Sequence, residues 1–323
     1  MHKAHRLGVT LAALLTLSAV ALAQTYPVKP VRVVVPYTAG GSMDILSRLI
    51  SQKMNEAFDQ TLIIDNRTGA GGNIGTELVA RAAPDGYTLL TAGIGIMAIN
   101  PSLYSKLPYD PIKDFEAITL LAKMPNMLAV SPALPVKSVS ELIALAKAKP
   151  GVLNYGSAGS GSNPHILAEY FKLRTNTDIQ DIPYKGVPPA LSDLIAGQLS
   201  MVFATVPTVL PQAKAGRVRA LAVTSAKRLA LVPELPTIAE AGVPDYEATQ
   251  WIGMLAPAGT PKDIVAQLNA RIVKTLQRAD VRERLGTEMG EPVGSTPDEF
   301  RAFMKAEIAR WAPVVKASGM KPD

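Results

Sequence analysis

Apolar and polar positions divide the chain into short strand-like runs that alternate with longer helix-like ones. Val31–Val35 (VRVVV) is a nearly continuous β-branched run, the pattern of a strand covered on both faces. Pro36 ends it, Gly40 and Gly41 follow, and Met43–Phe58 sets Ile45, Leu49, Met54 and Phe58 along one side of a helix. Thr61–Ile64 predicts a second strand. The glycine-rich stretch 69–75 leads into a helix over Thr76–Ala83, then a turn at Pro84-Asp85-Gly86 and a strand over Tyr87–Thr91. Residues 100–116 are polar and broken by prolines, and predict a connection. Strands are then expected at Leu128–Val130, Leu153–Gly156, Asp181–Pro183, Leu199–Phe203 and Ala220–Val223. Helices are expected between and beside them at Val139–Lys149, Asn163–Leu173, Pro188–Ala196 and Val206–Ala213. A short helix ending at Ala239 and Glu240 precedes Gly242, and helices over Ile264–Gln277, Ala279–Leu285 and Pro297–Ser318 follow. Such alternation predicts an α/β fold. Leu128–Lys147 and Met254–Ile272 share a strand-proline-helix layout, consistent with two corresponding crossing points in a two-lobed structure.

The first 23 residues follow a different rule. Lys3 and Arg6 precede an uncharged run over 7–23 that ends Ala21-Leu22-Ala23, a small-x-small cut site. This is the layout of a secretory signal peptide cleaved after Ala23, which places the mature chain in the periplasm. Its removal takes away two of the 33 basic residues, leaving 31 against 27 acidic and a net charge of +4.

Composition narrows the chemistry. Hydrophobic residues make up 48% of the 323 and charged residues 19%, enough apolar surface for a sizeable core without disulfides. There is no cysteine, and histidines stand only at 2, 5 and 165, so thiolate and histidine-rich metal sites are excluded. Aromatics are 5% and the basic excess is not clustered, unlike the stripes of nucleic-acid binders. No oligomer is demanded, and a monomer is expected.

Three loops share one design, a strand followed by glycine and small hydroxyl residues and then a helix. They are Tyr37-Thr38-Ala39-Gly40-Gly41-Ser42, Thr68-Gly69-Ala70-Gly71-Gly72-Asn73 and Ser157-Ala158-Gly159-Ser160-Gly161-Ser162. Glycine admits close backbone approach, and the first turn of a helix offers unpaired N–H groups at the positive end of its dipole. Such places hold a carboxylate or phosphate without lysine or arginine. None completes an enzyme or cofactor signature. No Gly-Lys pair forms a phosphate loop, Ile74 and Pro164 occupy the last glycine places of the dinucleotide pattern, and Ala158 stands where a hydrolase elbow needs serine. No cofactor and no catalytic residue are therefore expected. A serine hydrolase using Ser157 or Ser160 with His165 is the weaker alternative, and His165 suits a hydrogen-bonding role better. Asp44 fits a cap for the helix it opens. Lys185, in Pro183-Tyr184-Lys185-Gly186, is a cation beside a turn, and Trp251 fits the core better than a cleft.

These motifs, in this order, resemble the extracytoplasmic solute receptors of tripartite tricarboxylate transporters, the Bug receptors. The stretches that carry the resemblance are VPYTAGGSMD (35–44), DNRTGAGGNIG (65–75), PDGYTLL (84–90), NPSLY with LPYDPIKDF (100–115), LNYGSAGSGS (153–162), PYKGVPPALSDLIAGQ (183–198), GRVRALAVTSAKR (216–228), LPTIAEAGVPDYE (235–247) and APAGTP (256–261). The resemblance implies a type II periplasmic-binding-protein fold. Lobe I is expected over 24–124 plus 222–323 and lobe II over 125–221, with the ligand between them. It implies a small dicarboxylate, tricarboxylate or aromatic acid, held by backbone amides of the loops Tyr37–Ser42 and Ser157–Ser162 with His165 behind, and near Tyr184, Lys185, Ala204 and Thr205. Its partner would be a membrane permease, or in an alternative sensing role a membrane kinase. Two departures matter: Ala39 replaces the proline that many relatives carry before Gly-Gly, and Ala204 replaces an acid that meets a ligand amino group. The second departure favours a plain or aromatic carboxylate.

Overall fold

A computed structural model describes residues 26–56, 61–286 and 290–322. The expected signal peptide over 1–23 lies outside the described residues, as does Phe58 at the expected end of the first helix.

The chain forms two sheet regions joined by one long strand. The first contains β1 (Val31–Val35), β2 (Leu62–Asn66), β3 (Thr88–Gly93), β9 (Thr249–Pro257) and the first part of β4 (Phe115–Val130). β1 pairs in parallel with β2 and β3, while β3 and β4 pair antiparallel with β9. The second contains the end of β4 with β5 (Asn154–Ser157), β6 (Gln180–Pro183), β7 (Met201–Thr205) and β8 (Arg219–Val223). β10 (Glu291–Pro292) adds a short edge to β4.

The apolar run of β1 is buried on both faces, as its composition predicts. Val31, Val33 and Val35 enter one core cluster and Val34 the other. β4 shows the same two-faced burial and also changes partners along its length. It runs with β9 as far as Pro125↔Thr249, and from Asn126↔Thr205 onward it runs with β7. Proline donates no ladder bond, so the exchange falls where the strand already lacks a donor. Asn126 then ties in the second region: its N–H donates to Thr224 Oγ1, and its carbonyl accepts from the Thr224 N–H. The return crossing lies beside it, where the Ala248 N–H donates to Thr224 O just before β9 begins.

Helices cover both faces of the sheets. Four of them open at the carboxyl ends of strands: α1 (Ser42–Asn55), α5 (Asn163–Thr175), α6 (Val187–Ile195) and α7 (Val206–Lys214). Between α1 and α5 lie α2 (Asn73–Ala80), α3 (Asn100–Leu103) and α4 (Val139–Ala148). The C-terminal part carries α8 (Lys262–Leu276), α9 (Ala279–Arg284) and α10 (Pro297–Ser318). α10 packs on the first region and touches α5 of the second through Trp311 and Tyr170, whose rings meet edge to face at 5.7 Å.

Three local expectations are corrected. The proline-broken stretch 100–116 hides α3 and the start of β4, whose first residues Phe115 and Ala117 are buried. Leu128–Val130 is only the end of that 16-residue strand. The expected helix ending at Ala239 and Glu240 is a hydrogen-bonded turn instead. In it the Glu240 N–H donates to Thr237 Oγ1 and Glu240 Oε2 accepts from the Thr237 N–H.

Candidate ligand-binding cleft

The two regions meet over a cavity of ≈ 60 Å³ lined from both sides. From the first region come Tyr37, Thr38, Gly41, Ser42, Met43, Asp44, Gly93, Gly95 and Gln250. From the second come Ala158, Ser162, Asn163, Pro164, Gly186, Val187, Ala204, Thr205 and Thr208. Its place at the carboxyl ends of the strands is where open α/β sheets bind ligands.

Four helices open onto this one cavity. The starts of α1, α5, α6 and α7 are Gly41, Ser162, Gly186 and Thr205, and none has a side-chain cap hydrogen bond. In α1 the first intrahelical bond runs from the Ile45 N–H to Gly41 O (2.9 Å), so the N–H groups of Ser42, Met43 and Asp44 precede it. In α5 it runs from the Ile166 N–H to Ser162 O (3.0 Å), leaving the Asn163 and His165 N–H groups ahead of it. Each helix start carries roughly half a positive charge, and they converge where, among the described residues, no lysine, arginine or histidine lines the wall. Positive potential comes here from backbone dipoles, which suits an anion in a narrow, shielded space.

Asp44 is the one acidic residue in the lining, and its charge is consumed locally. Its Oδ2 accepts from the Gly40 N–H (2.9 Å) and Arg48 Nε (2.9 Å), and its Oδ1 from Asn66 Nδ2 (3.0 Å). Burial alone pushes this carboxyl up, but the bonds from Arg48, Gly40 and Asn66 outweigh it and hold it below the ordinary carboxylate range. The same Asn66 amide donates to Tyr37 O (2.9 Å), so Asp44 and Asn66 together set the shape of the first loop. Tyr37 itself donates to Gly71 O (3.0 Å), joining the first glycine loop to the second, and burial raises its phenol far above the usual range.

The Ser157–Ser162 loop is arranged differently from the expectation that its amides face a ligand. The Ala158 N–H donates to Ser162 Oγ, Gly159 to Ser157 Oγ, Gly161 to His165 Nδ1 (3.0 Å) and Ser162 to Gly159 O. Those four donors are spent holding the loop. The loop's outer side faces the first region, where Ser160 Oγ donates to Lys321 O (2.8 Å) and a Cβ on Gly161 would overlap Asn100 Oδ1.

Of the residues singled out in the sequence, Tyr37, Thr38, Gly41, Ser42, Ala158, Ser162, Ala204 and Thr205 line the cavity. Ala39 and Gly40 lie exposed at the rim, and Ser157, Gly159, Ser160, Gly161 and His165 lie buried behind the wall. Tyr184 donates to Asp193 (2.6 Å) away from the cavity, and Lys185 is exposed. The glycine loop 68–73 packs against the Ser157–Ser162 loop, with a Cβ on Gly71 overlapping Ser160 O. Trp251 is buried, its Nε1 donating to Glu307.

Asn163, Gly186, Val187, Thr208 and Gln250 were missed. A signal existed for the first four: Pro164, Pro188 and Pro207 sit at the opening positions where helices accept proline, and so mark three helix starts. Gln250 gave none beyond being a polar residue at the head of an apolar strand.

Comparison with known proteins bears on this arrangement. The family described as "Tripartite tricarboxylate transporter family receptor" matches residues 46–320. The chain belongs to that receptor family. Among relatives of the receptor family, protein BugT of Bordetella pertussis is 38% identical over 300 residues, covering 93% of this chain and 92% of BugT. Two solved receptors superpose closely. Rpa4515 of R. palustris, determined with adipate, is 41% identical with a TM-score of 0.89, over 92% of this chain and all of that one. MatC of Rhodopseudomonas palustris, with bound malate, is 35% identical with a TM-score of 0.86, over 90% of this chain and all of that one. The fold is that of the family's periplasmic binding proteins, two α/β lobes with the cleft between them.

Proposed function

We propose that this chain is an exported receptor that captures a small carboxylate between its lobes and delivers it to the membrane permease of a tripartite tricarboxylate transporter. The observation that carries the reading is the convergence of four uncapped helix starts on one cavity free of basic side chains. The carboxylate would lie against the first-turn N–H groups of α1 and α5, between Thr38 and Ser42 on one side and Ser162, Ala204 and Thr205 on the other. Adipate in Rpa4515 and malate in MatC are small carboxylates, the ligand class of this reading.

Delivery follows from hinge closure. With the lobes dividing after 124, the partner exchange of β4 at Pro125-Asn126 would be one hinge strand, and Ala248-Thr249 the other. Closing the lobes on a ligand would present a surface that the open form lacks, and that surface is what the permease would read. Binding rather than catalysis is favoured because Ser160 Oγ is engaged by Lys321 O and His165 Nδ1 by the Gly161 N–H, both away from the cavity lining. Among the described residues no helix is long and apolar enough to cross a membrane.

The test is a thermal-shift screen of the mature chain against dicarboxylates, tricarboxylates, amino acids and aromatic acids. A ligand at about 100 times its dissociation constant adds roughly 2.7 kcal/mol of stability. A shift confined to acids supports the reading; shifts from neutral or cationic compounds alone would overturn it.

A further inference from the structure

Three polar atoms in the cavity walls have no hydrogen-bond partner among the described residues: Thr38 Oγ1, Asn163 Oδ1 and Gln250 Oε1. They come from three different elements and from both lobes. Gln250 is the most buried of their residues, 6% exposed, on β9 opposite Met124 at the interlobe crossing. Its amide packs against Gly93, where a Cβ would approach Nε2 to 2.8 Å, so a side chain at 93 would displace it from the wall. The donor side of Asn163 is already committed, Nδ2 to Asn126 Oδ1 at 2.8 Å, and this leaves its oxygen for the cavity.

We infer that Gln250, Asn163 and Thr38 form a subsite for a hydroxyl group on the bound acid, with Gln250 its specificity-determining member. The inference rests on the receptor reading above and extends it to substrate class, a hydroxy acid. The chemistry follows from what the wall lacks. A buried acceptor left against methylene groups is costly, so a plain aliphatic acid would leave these oxygens unsatisfied. A second carboxylate brings only acceptors, and of the three atoms only the Thr38 hydroxyl can donate to it, so the Asn163 and Gln250 oxygens would stay unpaired. An ammonium brings donors but also a charge, and the one carboxylate in the wall, Asp44, is saturated by Gly40, Arg48 and Asn66. A hydroxyl donates to an amide oxygen, accepts from an amide N–H or from Thr38, and adds no charge.

The experiment compares matched pairs by calorimetry on the mature protein: malate with succinate, 3-hydroxyglutarate with glutarate, 2-hydroxyadipate with adipate. The wild type should bind the hydroxylated member of at least one pair about tenfold or more tightly. Gln250→Leu, and the unbranched Gln250→Met as a second variant in case Leu disturbs the strand, should reduce that preference, read as the ratio of the two members' affinities, to about threefold or less. Equal binding of both members by the wild type, or an unaltered preference in a folded variant, would overturn the subsite while leaving the receptor reading intact. Failure of every acid to bind would overturn both.

Discussion

Gly186 of lobe II lies against Thr38 of lobe I so closely that a Cβ on it would overlap Thr38 Oγ1. The backbone there is extended, at φ 168° and ψ 174°, so any residue could adopt it. The constraint is space between the lobes and not conformation. Gly186→Ala should therefore fold normally but close incompletely. We expect ligand affinity to fall about tenfold or more with the unliganded melting temperature nearly unchanged, read by calorimetry and thermal melts. Unchanged affinity would mean that the Thr38–Gly186 contact is not part of the binding-competent form.

Ala204 lines the cavity at 1% exposure, beside the start of α7. Ala204→Asp would put a carboxylate into a wall whose positive potential comes only from helix dipoles. It should repel acids, weakening them by about tenfold or more, and raise relative affinity for ligands that carry an amino group. A competition screen of amino acids against their deaminated counterparts reads the change in ratio.

Asp44 links acidity to the shape of the first loop. Its carboxyl titrates below its ordinary value in the folded protein, so its contribution is present above about pH 4 and is lost as pH falls further. Asp44→Asn should cost on the order of 1 kcal/mol at neutral pH, and should show a shallower loss of stability below about pH 4 than the wild type. Chemical denaturation at several pH values gives both curves, and parallel curves would contradict the assignment.

The chain's two tryptophans share one acceptor. Trp251 Nε1 (2.9 Å) and Trp311 Nε1 (3.2 Å) both donate to Glu307 Oε2, in a position 6% exposed. Glu307→Leu would leave two buried indole donors unpaired, at about 1–3 kcal/mol each. Urea denaturation followed by tryptophan fluorescence should show the loss, with Glu307→Gln, which keeps an acceptor, recovering part of it.

The alternation of strands and helices was legible because burial on both faces leaves apolar runs such as Val31–Val35, and because glycine and proline mark their ends. β4 was legible only at its last residues. Its first part, FEAITLLAKMP, mixes Glu116 and Lys123 into a run that one-dimensional periodicity does not separate from a loop. The lobe division expected between 221 and 222 falls inside β8, where Arg219, Ala220, Ala222 and Val223 pair with β4 beyond Asn126 and Leu221 sits at a register shift. Pairing of that kind is long-range and leaves no local mark. The glycine loops 37–42 and 157–162 mark strand ends that the fold brings together over the cavity. What sequence could not show is that the Ser157–Ser162 amides are spent on Ser157, Ser162 and His165, and that the helix starts behind Pro164, Pro188 and Pro207 share one cavity. Gln250 enters the wall only through the pairing of β9 with β3 and β4.

On the reading proposed above, helix starts, without basic side chains, would hold a carboxylate in the cleft. The most direct measurement is the affinity of the best-binding acid against that of its carboxamide, the same skeleton with the charge removed. The amide should bind about tenfold or more weakly, since a neutral group gains little from the dipoles. Equal affinity for acid and amide would contradict it.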